Sequence, residues 1–104
     1  MIQYVKYNKV LLKTGKRDHS IKLILEFFKK VQAQESKMKG FIVMDSLENP
    51  SESIVLTFWE TKEDMDDFFK VDNRLLSDLV EKQPTFETLP IRRGYQVSDL
   101  HVCC

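Results

Sequence analysis

The chain has 104 residues, enough for one compact domain and too few for two independent cores. Sixteen basic residues balance sixteen acidic ones, which argues against a general nucleic-acid binder. Hydrophobic residues make up 42% and charged residues 31%, a globular rather than a disordered balance, and no run of about 18 apolar residues spans a membrane.

The first segment, Ile2 to Leu12, is rich in aromatic and β-branched residues and has no breaker, so it reads as a strand. From about Arg17 the period changes. Ile21, Ile24, Leu25, Phe28 and Val31 form one stripe of an amphipathic helix, with Lys22, Glu26, Lys29 and Lys30 on the other face. Lys37, Met38, Lys39 and Gly40 then supply C-terminal cations and a stop. Phe41 to Leu47 and Ser53 to Glu60 are expected to pair as a hairpin around Glu48-Asn49-Pro50-Ser51. Thr61 is a good N-cap, and Glu63, Asp64, Asp66 and Asp67 suit the first turns of a second helix. Met65, Phe68, Phe69, Leu75, Leu76, Leu79 and Val80 carry that helix onward, with a bend or restart near Asp72-Asn73 and an end at Pro84. Ile91 to Val97 reads as a last strand, in which Gly94 marks a bulge or a close backbone approach.

The order is β-α-β-β-α-β, an α+β ferredoxin-like domain over residues 1–98, followed by a tail over 99–104. It predicts a four-stranded antiparallel sheet with both helices on one face. The other face is the informative one. A sheet wet on one side alternates apolar and polar residues, yet here both parities are apolar: Val5, Tyr7 and Leu11 as well as Ile2, Tyr4 and Val10, and Val55 and Trp59 as well as Ile54, Leu56 and Phe58. Two helices cover only one face, and an uncovered second one would be a sticky patch. A second copy packed sheet to sheet is the simplest cover, so the expectation is a homodimer with a shared, barrel-like core.

Charge is unevenly placed. Residues 1–40 hold ten Lys or Arg against three Asp or Glu, and the rest hold six against thirteen. Either oppositely charged elements lie side by side, or the basic half also receives an anionic ligand. Cys103 and Cys104 are adjacent at the end of the sequence, so they cannot staple a core. With His101 they make at best an incomplete metal hook. Free thiols and the absence of a leader-like N-terminus fit a cytoplasmic, reducing setting. There is no glycine-rich phosphate loop, dinucleotide fingerprint, HExxH, CxxC or nucleophile-elbow serine, which removes hydrolase, kinase and nicotinamide-dehydrogenase readings. No metal site is expected.

The stretch Gly40-Phe41-Ile42-Val43-Met44, followed by Ile54-Val55-Leu56-Thr57-Phe58-Trp59-Glu60-Thr61-Lys62-Glu63-Asp64, resembles the antibiotic-biosynthesis-monooxygenase (ABM) domain family. The shared features are the strand order, the short hairpin, and a strand ending T-x-W-E-S/T-x-E that runs into an acidic helix start. The resemblance covers about residues 2–98. It implies a dimeric α/β barrel and, for one branch, monooxygenases without metal or flavin that oxidise quinol-like aromatics with O₂. Another branch degrades haem, using an Asn on the first strand, a Trp on the second helix and a His ten residues later. On this chain those positions are Asn8, Phe68 and Asp78, so one of three matches. A carboxylate is an unusual ligand for haem iron, and neither His19 nor His101 is an evident replacement.

Five residues are candidates for a site. Asn8, a polar side chain in a strand suited to burial, either aims its amide at an oxygen intermediate or phenol or is a satisfied buried amide. Asp78 beside an apolar pocket either becomes a general base, if desolvation raises its pKa, or is a solvated helix residue. Phe27 and Phe68, with Phe28 and Phe69 beside them, line a flat aromatic pocket or serve as plain core, and Trp59 either contacts substrate or anchors the core or interface. Arg92 and Arg93 point oppositely, so one can meet a carboxylate ligand. The expected function is a dimeric, cofactor-independent oxygenase of an aromatic or quinol-like molecule. The alternative is a haem-binding or haem-degrading-type protein, or a non-catalytic small-ligand-binding dimer.

Overall fold

The computed structural model describes residues 1–34, 37–70 and 90–102. Strand β1 (Tyr4–Leu11) leads into helix α1 (Arg17–Gln34), followed by β2 (Met38–Asp45), β3 (Glu52–Trp59), helix α2 (Lys62–Phe68) and β4 (Ile91–Gln96). All strand pairs are antiparallel and the sheet order is β2-β3-β1-β4. The β-α-β-β-α-β, ferredoxin-like α+β architecture expected from the periodicities is the one observed.

Both helices cover the same side of the sheet. Ile24, Phe28 and Val31 of α1 and Met65 and Phe68 of α2 share one buried cluster with Val10, Leu12, Val55 and Trp59. The three α1 residues belong to the i, i+3, i+4 stripe. Along β3 burial alternates: Ser53, Val55, Thr57 and Trp59 are buried, and the residues between them are only partly so. The opposite parity, with Tyr7, Leu56, Phe58, Ile42 and Tyr95, forms an uncovered sheet face. On it Ile42, Met44, Ile91 and Tyr95 are 41–52% exposed, and Tyr7 meets Tyr95 edge to face at 6.4 Å.

Local details explain the boundaries. The φ of Gly15 is +77°, the left-handed turn that brings the chain from the sheet to α1. Arg17 then donates to the carbonyls of Ser46 and Asn49 at 2.9 and 3.2 Å, tying the start of α1 to the β2–β3 hairpin. Within that hairpin the Ser46 hydroxyl accepts from the amides of Glu48 and Asn49, so β2 stops at Asp45 and Leu47 lies in the turn. Thr61 caps α2, accepting from the Asp64 amide at 3.1 Å.

Two expectations change. Met38 to Gly40 are strand rather than a helix stop: Met38 is buried opposite Trp59, and a bulge between Met38 and Gly40 restores the register. The lysines that suggested a helix end flank an apolar residue whose burial decides the matter. Helix α2 ends at Phe68, with Phe69 as its C-cap, and its expected continuation through Leu75, Leu79 and Val80 to Pro84 falls outside the described residues. The charge halves meet through Lys9–Glu52, Lys37–Asp64 and Lys39–Glu60 at 3.3–4.0 Å. These three pairs join β1 to β3, the residue before β2 to the first turn of α2, and β2 to the residue after β3; none of the three joins α1 to α2.

Candidate functional site

The helix-side face of the sheet is built in rows. Val55, Asn8 and Arg92 are register partners across β3, β1 and β4, and Thr57, Lys6 and Gly94 form the next row. Side chains alternate along strands, so these residues project to the same side as Trp59. Asn8 is buried, and its Nδ2 donates to the carbonyls of Val55 at 3.0 Å and Lys6 at 3.3 Å. Two carbonyls can be met only by the NH₂ end of the amide, which fixes its orientation. Both donors are spent, so Asn8 has only an acceptor, Oδ1, to offer a ligand. Of the two partners expected for the amide, this orientation suits a phenol hydroxyl, which can donate to Oδ1, better than an oxygen intermediate that needs a donor.

Trp59 is fully buried, and its indole Nε1 donates to Thr57 Oγ1 at 2.8 Å. Its ring lies 5.3 Å from Phe68 and 6.1 Å from Phe69, and those two meet edge to face at 5.0 Å. Phe69 joins this wall to the polar row: Lys6 Nζ is 5.4 Å and the Arg92 guanidinium 5.6 Å from its centroid. Burial holds the Arg92 pKa below its usual value even though the residue keeps much of its surface in solvent. At Gly94 a Cβ would stand 3.2 Å from Met65 Cε and 3.9 Å from Lys6 Nζ. The β1–β4 register runs through this glycine without a shift, so it marks a close approach and not a bulge. Beside it a cleft of about 390 Å³ is lined by Tyr4, Lys6, Lys62, Met65, Asp66, Gly94, Tyr95 and Gln96.

Of the sequence candidates, Trp59 and Phe68 converge, and Asn8 shares their face at the β1–β4 side. Phe27 does not join them among the described residues; its ring sits edge to face on Phe28, which continues to Phe41 of β2. Asp78 lies outside the described residues. Sequence reasoning missed Lys6, whereas Phe69 was among the aromatics offered for a pocket wall. Lys6 shares the parity of Asn8, a signal available in the sequence, whereas the meeting of Lys6 with Arg92 depends on the pairing of the first and last strands.

Haem fits this face poorly. The chain has two histidines. His19 is exposed in the first turn of α1, and His101 is exposed beyond β4, 2.9 Å from Asp99. Neither can bring an imidazole to the Asn8 row. Among the described residues no three His, Cys, Asp or Glu gather as a metal site, and no helix is long and apolar enough to cross a membrane.

No protein-family model matches the sequence, and no curated protein matches it significantly. Solved structures do. A protein from Bordetella bronchiseptica, provisionally named an antibiotic biosynthesis monooxygenase, is 16% identical, with 93% of this chain and 98% of that one covered at a TM-score of 0.73. A conserved protein from Methanosarcina mazei is 18% identical, with 91% and 92% covered at 0.70. Another provisionally named antibiotic biosynthesis monooxygenase, from Caulobacter crescentus, is 14% identical, with 94% and 92% covered at 0.74. At these identities the likeness speaks for architecture: the chain has the α+β fold of these proteins, an ABM-like fold, as its Trp59-Glu60-Thr61 stretch suggested.

Proposed function

We propose that the protein is a homodimeric oxygenase that oxidises an aromatic or quinol-like small molecule with O₂, without metal or flavin, on the helix-covered side of the sheet. The observation that carries this reading is the buried Asn8, whose two amide hydrogens are held by main-chain carbonyls beside an aromatic wall. Such an amide is a fixed acceptor, suited to orienting a substrate hydroxyl in a dry setting. The chemistry balances without a cofactor. A ring methylene that becomes a carbonyl gives up four electrons, the number O₂ takes in becoming that carbonyl oxygen and one water. The protein then has to position the electron-rich ring and exclude bulk solvent.

The second copy follows from the uncovered sheet face. Ile42, Met44, Ile91 and Tyr95 are each more than two-fifths exposed, and covering such area gains roughly 25 cal/mol per Å². Light scattering should return a dimer, and Tyr95→Asp should shift it toward monomer.

The activity test is oxygen uptake with anthrone or a naphthohydroquinone, measured against the uncatalysed rate. Uptake should fall at least tenfold in Asn8→Ala with its far-UV circular dichroism preserved. No uptake above background with either reductant overturns the reading. The non-catalytic alternative is favoured by one observation, the two cations around Phe69, which suit a flat anionic ligand. Titration with hemin separates it: a Soret shift with no oxygen uptake would favour binding alone.

A further inference from the structure

Lys6 and Arg92 rise from neighbouring strands toward one ring, and the described residues give neither of them a counter-ion. Arg92 is paired with Asn8 and Lys6 with Gly94, so the two cations stand one diagonal step apart on the same face, within reach of each other's long side chains. The nearby acids are engaged elsewhere. Asp66 of α2, close enough for Lys6 to help lower its pKa, is bonded to Lys62 at 2.6 Å. Asp64 faces Lys37, and Glu60 faces Lys39 and the N-terminus. Glu52 pairs with Lys9 on the far side of the sheet. Like charges gathered this way repel, and the guanidinium fork presents donors that a carboxylate fits in bidentate fashion. Gly94 adds no side chain of its own beside Lys6, its place being taken by the Met65 methyl, and a cleft of about 390 Å³ opens on the Lys6 side of the pair, within the range of small-molecule sites.

Building on the aromatic-ligand reading, we propose that Lys6 and Arg92 form a carboxylate subsite, and that the substrate is an aromatic acid whose ring packs against Phe69. Asn8 Oδ1, in the same row as Arg92, is placed to accept from a hydroxyl next to that carboxylate.

The probes are 1-hydroxy-2-naphthoate and its neutral methyl ester, titrated calorimetrically into the full chain and into Arg92→Gln, Lys6→Gln and, as a control for general charge, Lys29→Gln on the exposed face of α1. The acid should bind at least tenfold tighter than the ester. Arg92→Gln and Lys6→Gln should each remove most of that difference while leaving ester affinity within twofold, and Lys29→Gln should change neither. Equal binding of acid and ester, or parallel loss of both in Arg92→Gln, overturns the subsite and leaves the aromatic pocket standing. Binding of neither probe overturns both.

Discussion

The Trp59–Thr57 pair allows a sharp test of what holds the aromatic wall in place. Both side chains are fully buried, and the indole N–H donates to the threonine hydroxyl at 2.8 Å. Thr57→Val keeps the shape but leaves the indole N–H without an acceptor, which costs about 1–3 kcal/mol. Trp59→Phe leaves the threonine hydroxyl without its donor, a similar cost, and adds a cavity term of roughly 1–2 kcal/mol for the lost ring volume. In the double variant neither group is orphaned. The coupling energy should therefore be at least about 1–3 kcal/mol, and Thr57→Val should be nearly neutral or stabilising once Trp59 is phenylalanine. Urea unfolding followed by far-UV circular dichroism, at one fixed protein concentration because any self-association would shift apparent stability, measures all four corners. If Thr57→Val costs the same in both backgrounds, the hydrogen bond does not hold the ring and the wall is set by packing alone.

Other perturbations address the neighbouring features. Asn8→Asp would face two carbonyls with a carboxylate in place of two donors, so it should destabilise more than Asn8→Ala, by about 1–3 kcal/mol, read from the urea midpoints of the two variants. Gly94→Ala should cost about 1 kcal/mol or less, because the atom its Cβ meets is the flexible end of Met65; Gly94→Val should cost clearly more, and Met65→Ala should recover part of that in a double variant. The Lys62–Asp66 pair is exposed and lowers the Asp66 pKa from 3.8, first through their hydrogen bond. Its contribution is complete above that value and disappears as pH falls through the lower folded-state pKa, so Lys62→Met should move the acid-unfolding midpoint slightly upward. The same pair raises the Lys62 pKa, which keeps it charged through the neutral range, so thermal stability near pH 7 should respond to salt and not to small pH changes.

Much of the fold was legible because its signals are local. The α1 stripe, the Thr61 cap and the doubled apolar parity of β1 and β3 each rest on residues a few positions apart, and each appears where the periodicity put it. The start of β2 was not legible. Lys37-Met38-Lys39-Gly40 has the composition of a helix end, and only the burial of Met38 against Trp59, a contact between distant segments, assigns it to the sheet. The site divides the same way. Trp59 and Phe68 were recognisable as an aromatic pair, whereas Phe27 occupies a half-buried position on the α1–β2 side, turned onto Phe28. Phe69, one residue beyond the helix, is the ring that meets both cations.

The least legible feature is also the one that gives the site its charge. Arg92 and Arg93 are adjacent, so a slip of one residue between β1 and β4 would still present an arginine to the helix side, because side-chain direction alternates along a strand. The arginines alone therefore cannot specify the register. Gly94 can. It stands opposite Lys6 and under Met65, where a Cβ would already come within 3.2 Å of the methionine methyl. A slip would bring the side chain of Arg93 or Tyr95 to that point, against a residue only 3% exposed. The glycine thus admits one pairing of the first and last strands, and that pairing sets Arg92 beside Asn8 and sends Arg93 to the open face. A backbone constraint at a single position selects which cation faces the aromatic wall.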